Sequence, residues 1–450
     1  MASVTTSYTL DGSYRRHDHV VIAGSPLRLF RLSAKGRTVA EAIEAGQPLP
    51  AGHARLTDRL VDAGAIHPHP TASPYTAADV TVVVPAFEAT PGNTYPSVRE
   101  VIVVDDASEP PVVAQEGQRV IRLPANSGPA AARNAGLALV TTPLVAFVDT
   151  DVDVDDGWLE ALLPQFADPR VALVAPRVMS TDGQSTLAAY EMSRSPLDLG
   201  SEAGRIAAGS RISYVPAAAL IARTEGLRSI GGFDESMRAG EDVDLVWRLL
   251  EAGHRCRYEP AGTVHHRPRA TFASWLRQRF TYGRSAAPLD RRHPGAVSPL
   301  RISGWSAAVW ALVLARRPIA AIAVAAGTIV ALRRKLHDLP VEEPIRLAGL
   351  GHLYAGRQVA GAITRSWSPV ALVVAALVKR SRPALLLAAT LPPILDWCHG
   401  PRAQDPARYV GLRLADDIAY GAGVWRGVID ERDCGAVAPK FTNWPGKARG

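Results

Sequence analysis

Apolar residues in this chain fall into short blocks whose spacing changes along its length. Val80 to Val84, Val101 to Val104 and Leu144 to Val148 are near-continuous runs rich in β-branched residues, each followed by polar ones. Such runs predict parallel strands buried on both faces. A helical stretch, Ala130 to Ala138, precedes the third run. Strands alternating with helices predict an α/β sheet over about residues 79–290, with a ligand beyond the carboxyl ends of the strands. Upstream, residues 20–66 read as a small α+β unit: an extended piece from Val20 to Ser33, a helix around Thr38 to Ala45, and a second helix from Ala54 to Ala63 closed by Gly64. The Pro-rich stretch from His67 to Ala78 reads as a linker. Beyond Pro299 the uncharged runs 302–315, 318–332, 366–378 and 383–395 are 13 to 15 residues long. As helices they reach about 20 Å, short of the roughly 30 Å hydrocarbon core, and so suit re-entrant, interfacial or core helices better than spans. Three regions result, 1–70, 79–290 and 300–450.

Composition narrows the class. With 450 residues, 47% apolar and 21% charged, the chain is globular and too long for a small disulfide or zinc scaffold. Cys256, Cys398 and Cys434 are odd in number and widely spaced, which fits a reducing cytosolic compartment. The first residues lack the apolar region of a secretory signal, so the chain is expected to start in the cytosol. The net charge is +7, and residues 301–380 alone carry 11 Lys and Arg against 3 Asp and Glu. Basic charge interleaved with long apolar runs predicts an anionic membrane surface as partner, and no nucleic acid. A DNA-binding reading of the N-terminal unit is weaker still, because residues 1–66 hold 8 basic against 6 acidic side chains.

The candidate chemistry sits at strand ends. VIVV runs into Asp105 and Asp106, and LVAFV into Asp149, Thr150 and Asp151. Carboxylates at the ends of neighbouring parallel strands suit a hard divalent cation and a nucleotide diphosphate. Asp149, Asp151, Asp153 and Glu160 also match positions 1, 3, 5 and 12 of a calcium loop, but Val154 occupies the position that demands glycine. Gly157-Trp158-Leu159 reads instead as a helix start with Asp155 or Asp156 as its cap. Arg133, one turn into a helix opened by Gly128-Pro129, is placed for phosphate oxygens. Glu241 and Asp242 open another helix, where Asp242 could take a proton from an attacking hydroxyl. His265 and His266 end a strand-like TVHH and offer a further metal or diphosphate ligand. The following RATFASWLRQRFTYGRS has a mixture that single-stranded nucleic acid could use, and one amphipathic helix against a membrane or an acceptor sugar explains it as well.

In order along the chain, VVVPAFE, VIVVDDAS, NSGPAAARNAG, FVDTD, GGFDE and GEDVDLVWRL resemble the GT-A glycosyltransferases of family 2. The resemblance implies a GT-A, Rossmann-like fold and an inverting transfer from a UDP-sugar. It puts Pro85, Phe87, Glu88, Asp105, Asp106, Arg133, Asn134, Asp149 and Glu241 around the nucleotide sugar. Asp149 and Asp151, with His265, would hold Mn²⁺ or Mg²⁺, and Asp242 would be the catalytic base. SPLRLFRLS and LVDAGAIHP resemble a PqqD-like peptide-recognition domain, which is winged-helix-like. LPPILDW and LADDIAYGAGVWRG are similar to the tail of the glycosyltransferases of mycofactocin biosynthesis, which by resemblance add β-1,4-linked glucose from UDP-glucose to a peptide-derived cofactor. The expected location is the cytoplasmic face of the membrane, peripheral or re-entrant. One departure stands out: residues 86–100, with Pro91, Gly92 and Pro96, leave no regular helix where family 2 domains carry one. A non-catalytic peptide-binding scaffold and a polyprenyl-phosphate sugar transferase are the rival readings.

Overall fold

The computed structural model describes residues 6–181, 183 and 185–442. The chain divides into two compact units, Met1–Gly183 with Arg194–Pro268, and Gln184–Ser193 with Arg269–Gly450. The first unit therefore ends at Pro268, ahead of the expected 290, and the second takes in a short segment from the middle of the chain.

The first unit opens with a small α+β fold. Strand β1 (Thr6–Leu10) precedes a three-stranded antiparallel sheet of β2 (Arg15–His17), β3 (Val20–Ala23) and β4 (Arg28–Arg31), followed by helices α1 (Ala34–Glu44) and α2 (Ala54–Ala63). Ser33 caps α1 by accepting from Gly36 N–H, and Gly64 closes α2 in the left-handed conformation at φ 69°. Phe30, Val39, Leu60 and Ile66 share its core. The expected linker begins instead as strand β5 (Ile66–Pro70), which pairs antiparallel with β1. Pro68 and Pro70 are tolerated because this ladder has only two strands, so a missing N–H can face away from the partner.

A nine-stranded mixed sheet fills the rest of the unit. Its strands are β6 (Val80–Ala86), β7 (Glu100–Asp105), β8 (Gln118–Arg122), β9 (Leu144–Val148), β10 (Val152–Val154), β11 (Val171–Ser180), β12 (Gly204–Arg205), β13 (Ala219–Arg223) and β14 (Arg255–His266). They lie in the order β10-β14-β11-β13-β9-β6-β7-β8, with β12 on β14. The block β9-β6-β7-β8 is parallel, as the apolar runs predict, and β13 joins it antiparallel. Helix α3 (Pro129–Leu139) packs on β6 so closely that a Cβ on Gly136 would stand 2.3 Å from Val83 Cγ1. Residues 87–99 form no helix; Tyr95, Val98 and Val112 cover that edge of the core instead. Asn93 ties this loop to β10, donating to Val152 O at 2.6 Å and accepting from Val154 N at 3.2 Å. Helix α4 (Trp158–Leu162) starts from Gly157, and the expected cap Asp155 accepts from Thr263 Oγ1 instead.

The second unit is helical. Helix α5 (Thr186–Arg194) begins it; α6 (Thr224–Ser229) and α7 (Glu241–Glu251) belong to the sheet unit. Then come α8 (Phe272–Arg284), α9 (Ala286–Arg292), α10 (Gly304–Leu314), α11 (Pro318–Lys335), α12 (Glu342–Thr364), α13 (Ser368–Leu377), α14 (Arg382–His399) and α15 (Pro406–Glu431). The arginine- and aromatic-rich α8 buries one face, which carries Trp275 and Arg279, and leaves Phe272, Arg277 and Thr281 exposed. Trp275 Nε1 donates to Glu191 Oε1 at 2.7 Å, and Arg279 pairs with the same carboxylate. Gly283 lets α8 meet α15, since a Cβ there would lie 2.0 Å from Tyr420 O. Among the described residues no single helix is long and apolar enough to cross a membrane; the bent pair α12–α13 passes that test jointly, with an 82° break.

Candidate active site

The carboxyl ends of β6, β7 and β9 and the start of α7 meet at one end of the sheet, because parallel pairing brings their final residues level. Ala86 lies opposite Asp105 in register, and Asp149 N–H donates to Ala218 O just beyond β13. Arg133 on α3 organises this end. It is 3% exposed, and its two terminal nitrogens donate to Glu241 Oε1 at 2.9 Å and Asp149 Oδ1 at 2.7 Å, while Phe233 lies against its face. Burial opposes the guanidinium charge, but Asp149, Glu241 and Asp242 more than offset this and raise its pKa. Arg133 thus positions these two carboxylates.

Asp105 and Asp106 are likewise committed within the protein. Asp105 Oδ1 accepts from Ser108 N–H at 2.8 Å, and Oδ2 from Val112 N–H at 3.3 Å and Arg122 Nη1 at 2.8 Å. Burial pushes its pKa up, yet those hydrogen bonds and the Arg122 charge leave it below the usual value. Asp106 accepts from Ser127 N–H at 2.7 Å and Gly128 N–H at 2.8 Å, fixing the entry to α3. Asn134 is also occupied, donating to Phe233 O and Glu235 Oε1 and accepting from Phe233 N–H. Through these bonds all three also shape the loops around the site. Pro85 is half-buried at the end of β6, Phe87 is 47% exposed, and Glu88 sits at φ 51° with its N–H donating to Ser108 Oγ.

Asp149, Asp151 and Asp242 gather at the same end of the sheet. Burial, and then the neighbouring Asp151, push the Asp149 pKa up despite Arg133. Register decides which imidazole joins them: β10 pairs with β14 so that His266 Nε2 lies 3.4 Å from Asp151 Oδ2, whereas His265 Nε2 lies 3.3 Å from Asp155 Oδ1. His266 therefore takes the place expected of His265. Asp242 accepts from Val243 N–H at 2.8 Å and Ala217 N–H at 3.2 Å. Desolvation and the adjacent Glu241 carboxylate push its pKa up to about 7. Arg238, an exposed cation whose Nη1 stands 3.3 Å from Asn126 Oδ1 beside the start of α3, was not among the expected site residues. MRAGED, with a cation four residues before Asp242, is the signal that could have drawn it in.

Residues 86–224 match the sequence model of "Glycosyl transferase family 2". The pre-mycofactocin glycosyltransferases of two Mycobacterium tuberculosis strains, CDC 1551 / Oshkosh and H37Rv, are each 41% identical over 446 residues, covering 94% of both chains. The chain belongs to their family, a branch of family 2 glycosyltransferases. Succinoglycan biosynthesis protein ExoO of Rhizobium meliloti is 32% identical over 180 residues, 37% of this chain and 52% of that one. The mannosyltransferase PcManGT of Pyrobaculum calidifontis, solved with GDP-Man and Mn²⁺, is 16% identical with a TM-score of 0.34, over 61% of this chain and 87% of that one. By its 41% identical relatives the protein is a family 2 glycosyltransferase, with a mixed α/β sheet and a helical C-terminal unit. Phe87, Glu88, Arg133, Asp149 and Asp151 fall within the matched segment, while Asp242 and His266 lie beyond it.

Proposed function

We propose that this glycosyltransferase transfers glucose from UDP-glucose, with inversion and in β-1,4 linkage, to the peptide-derived acceptor of mycofactocin biosynthesis. The observation that carries the proposal is the arrangement around Arg133: one buried cation holds Asp149 and Glu241, and among the described residues Asp242 has no ion pair of its own. The acceptor follows from the name carried by the relatives that are 41% identical. Pro85, Phe87 and Glu88 are assigned to the nucleotide, and Asp149 and Asp151 to the diphosphate end.

A divalent cation fits this donor set. Asp149 keeps one oxygen outside its bond to Arg133, Asp151 and His266 stand together, and two carboxylates crowd one strand end. Among the described residues no three side chains form a closed metal cluster, so diphosphate oxygens and water would have to complete the shell. Bound there, Mn²⁺ or Mg²⁺ would offset charge on the departing diphosphate. The protein supplies the rest. Val243 and Ala217 N–H groups fix Asp242 so that its carboxylate accepts the hydroxyl proton as the acceptor oxygen bonds to the anomeric carbon. The bond to the diphosphate oxygen breaks on the opposite face, and its electron pair leaves with UDP. Calorimetry tests the donor site: Mn²⁺ should tighten UDP binding in the wild type and lose that effect in Asp151→Ala. Equal affinity with and without metal in both proteins would overturn it. Mass spectrometry of products with UDP-glucose should show hexose increments.

The helical unit is assigned to the cytoplasmic face of an anionic membrane. What supports this is its surface: Ile319, Ile322, Leu353, Leu372, Leu377 and Leu386 are each at least 60% exposed. Arg316, Arg317, Arg333, Arg334, Lys335, Lys379 and Arg380 lie in the same stretch of chain.

A further inference from the structure

Residues 87–99, which form no helix after β6, are anchored at several points. Pro91 and Pro96 restrict the backbone, Pro91 O accepts from Gln115 Nε2 at 3.0 Å, and Tyr95 packs on the same core as Val152. The loop thereby brings Asn93 against β10, the end strand of the nine-stranded sheet. That strand pairs with β14 along one edge only, and its other edge presents backbone groups that no further strand covers among the described residues. In an antiparallel pair alternate residues turn their N–H and C=O away from the partner, so Val152 O and Val154 N–H point outward together. A carboxamide offers both a donor and an acceptor to such a pair. Asn93 uses both: Nδ2 donates to Val152 O at 2.6 Å, and Oδ1 accepts from Val154 N–H at 3.2 Å. One side chain thus stands in for a neighbouring strand.

Val152 is also the last residue of the turn that carries two of the donor-site carboxylates. Its N–H donates to Asp149 O at 3.2 Å, closing a β-turn over Asp149, Thr150, Asp151 and Val152. The entry to this turn is held by Asp149 N–H on Ala218 O at 2.9 Å, and its third residue by Arg267 N–H on Asp151 O at 3.0 Å. At the exit, the Val152 carbonyl is bonded to Asn93. Across β10, register sets His266 opposite Val152, and His266 Nε2 lies 3.4 Å from Asp151 Oδ2. Any displacement of β10 from β14 therefore changes how Asp151 stands to His266 and to Asp149. Groups that hold metal ligands in place without touching the metal typically alter its affinity by about 10- to 100-fold when removed.

We propose that Asn93 is a positioning residue of the donor site: by clamping the open edge of β10 it sets where Asp151 and His266 would meet a divalent cation. The inference rests on the donor site proposed above, and it gives the loop that lacks a helix a task in that site. Val152 is fully buried and β10 keeps its pairing with β14, so loss of the clamp should loosen the turn without unfolding it.

Asn93→Leu and Asn93→Ala in the full chain provide the test. Calorimetric titration with UDP at a series of Mn²⁺ concentrations gives the concentration at which the metal tightens UDP binding half-maximally. That concentration should rise by about 10- to 100-fold in both variants, while UDP affinity without metal stays within about twofold of wild type. Hydrogen exchange, measured without UDP or metal, should quicken by about tenfold over residues 150–156, where Val154 N–H loses its acceptor, and stay unchanged in β6 and β7. A wild type whose UDP affinity ignores Mn²⁺ would overturn the donor site and the clamp together. A wild-type metal dependence that either folded variant keeps unchanged would overturn the clamp alone. So would variants that melt early and lose metal-free UDP binding, since Asn93 would then be a structural residue.

Discussion

The sheet unit and the helical unit both bury arginine–carboxylate clusters, and they settle the charges differently. In the helical unit Arg279 is bound to Glu191, Tyr190 donates to Asp416 at 3.1 Å, and Asp417 is shared by Arg365 at 2.9 Å and Arg413 at 3.3 Å. Each of these acids has at least one donor or cation facing it, although Asp416 Oδ1 and Arg279 Nε lack a hydrogen-bond partner among the described residues. At the catalytic end Arg133 serves both Asp149 and Glu241, and among the described residues Asp242 stands beside a second carboxylate with two backbone N–H groups as its donors. The same residue types therefore form a closed structural joint in one unit and an open site in the other. An uncompensated charge marks where substrate is expected to complete the electrostatics.

Asp242→Asn breaks the open cluster and carries the largest expected effect. It keeps shape while removing basicity, so turnover should fall by about 10² to 10⁴ with UDP binding retained. The folded state holds the Asp242 pKa at about 7, above the ordinary 3.8, so the group favours folding in its protonated form. Its contribution is full below the ordinary value and is lost as pH rises through about 7. The Asn variant should accordingly melt no lower than wild type at pH 8, with any advantage shrinking towards pH 5. Wild-type kcat/KM for the donor should rise with pH through the same region. An early-melting Asn variant at pH 8 would make Asp242 a structural residue.

Arg279→Leu breaks the closed cluster, with a smaller but still large effect expected. It strands Glu191 next to Trp275 in a buried site, and removing one member of a buried ion pair costs about 3–5 kcal/mol. Chemical denaturation of the full chain should show that loss, and Arg279→Leu combined with Glu191→Leu should recover part of it. No recovery in the double variant would mean that packing of the arginine stem, and not charge, is what holds α8.

The sequence showed these two clusters unequally. The strands β6, β7 and β9 were legible because strands buried on both faces are apolar without interruption. The 12-residue β14 was reduced to TVHH, because its first half, RCRYEP, alternates charged and apolar residues. Asp149, Asp151 and Asp242 were legible from their places at element ends. What Asp105, Asp106 and Asn134 bond to was not, because their donors are set by loop backbone geometry. The choice of His266 over His265, like the pairing of Arg205 with Arg257 across 52 positions, depends on strand register, which no local pattern encodes.

The smallest expected effect concerns the surfaces of the two units. The helical unit leaves Ile319 and Leu377 at 84% and 78% exposure, near a run of cations. Each such side chain should contribute roughly 1.5–3 kcal/mol if it leaves water for lipid, and each nearby Lys or Arg about 1 kcal/mol on an anionic surface. The full chain should therefore float with vesicles rich in phosphatidylglycerol, and less with neutral ones. Raising salt should weaken binding only in part, since screening reduces the charge contribution and leaves the apolar one. Leu377→Glu should weaken vesicle binding by about tenfold, in line with the loss of one apolar side chain. Its effect on UDP affinity should be nil, because the residue lies outside the sheet unit. A full-length protein that stays with the lipid-free fraction at low salt would show that these side chains meet another protein, not a bilayer.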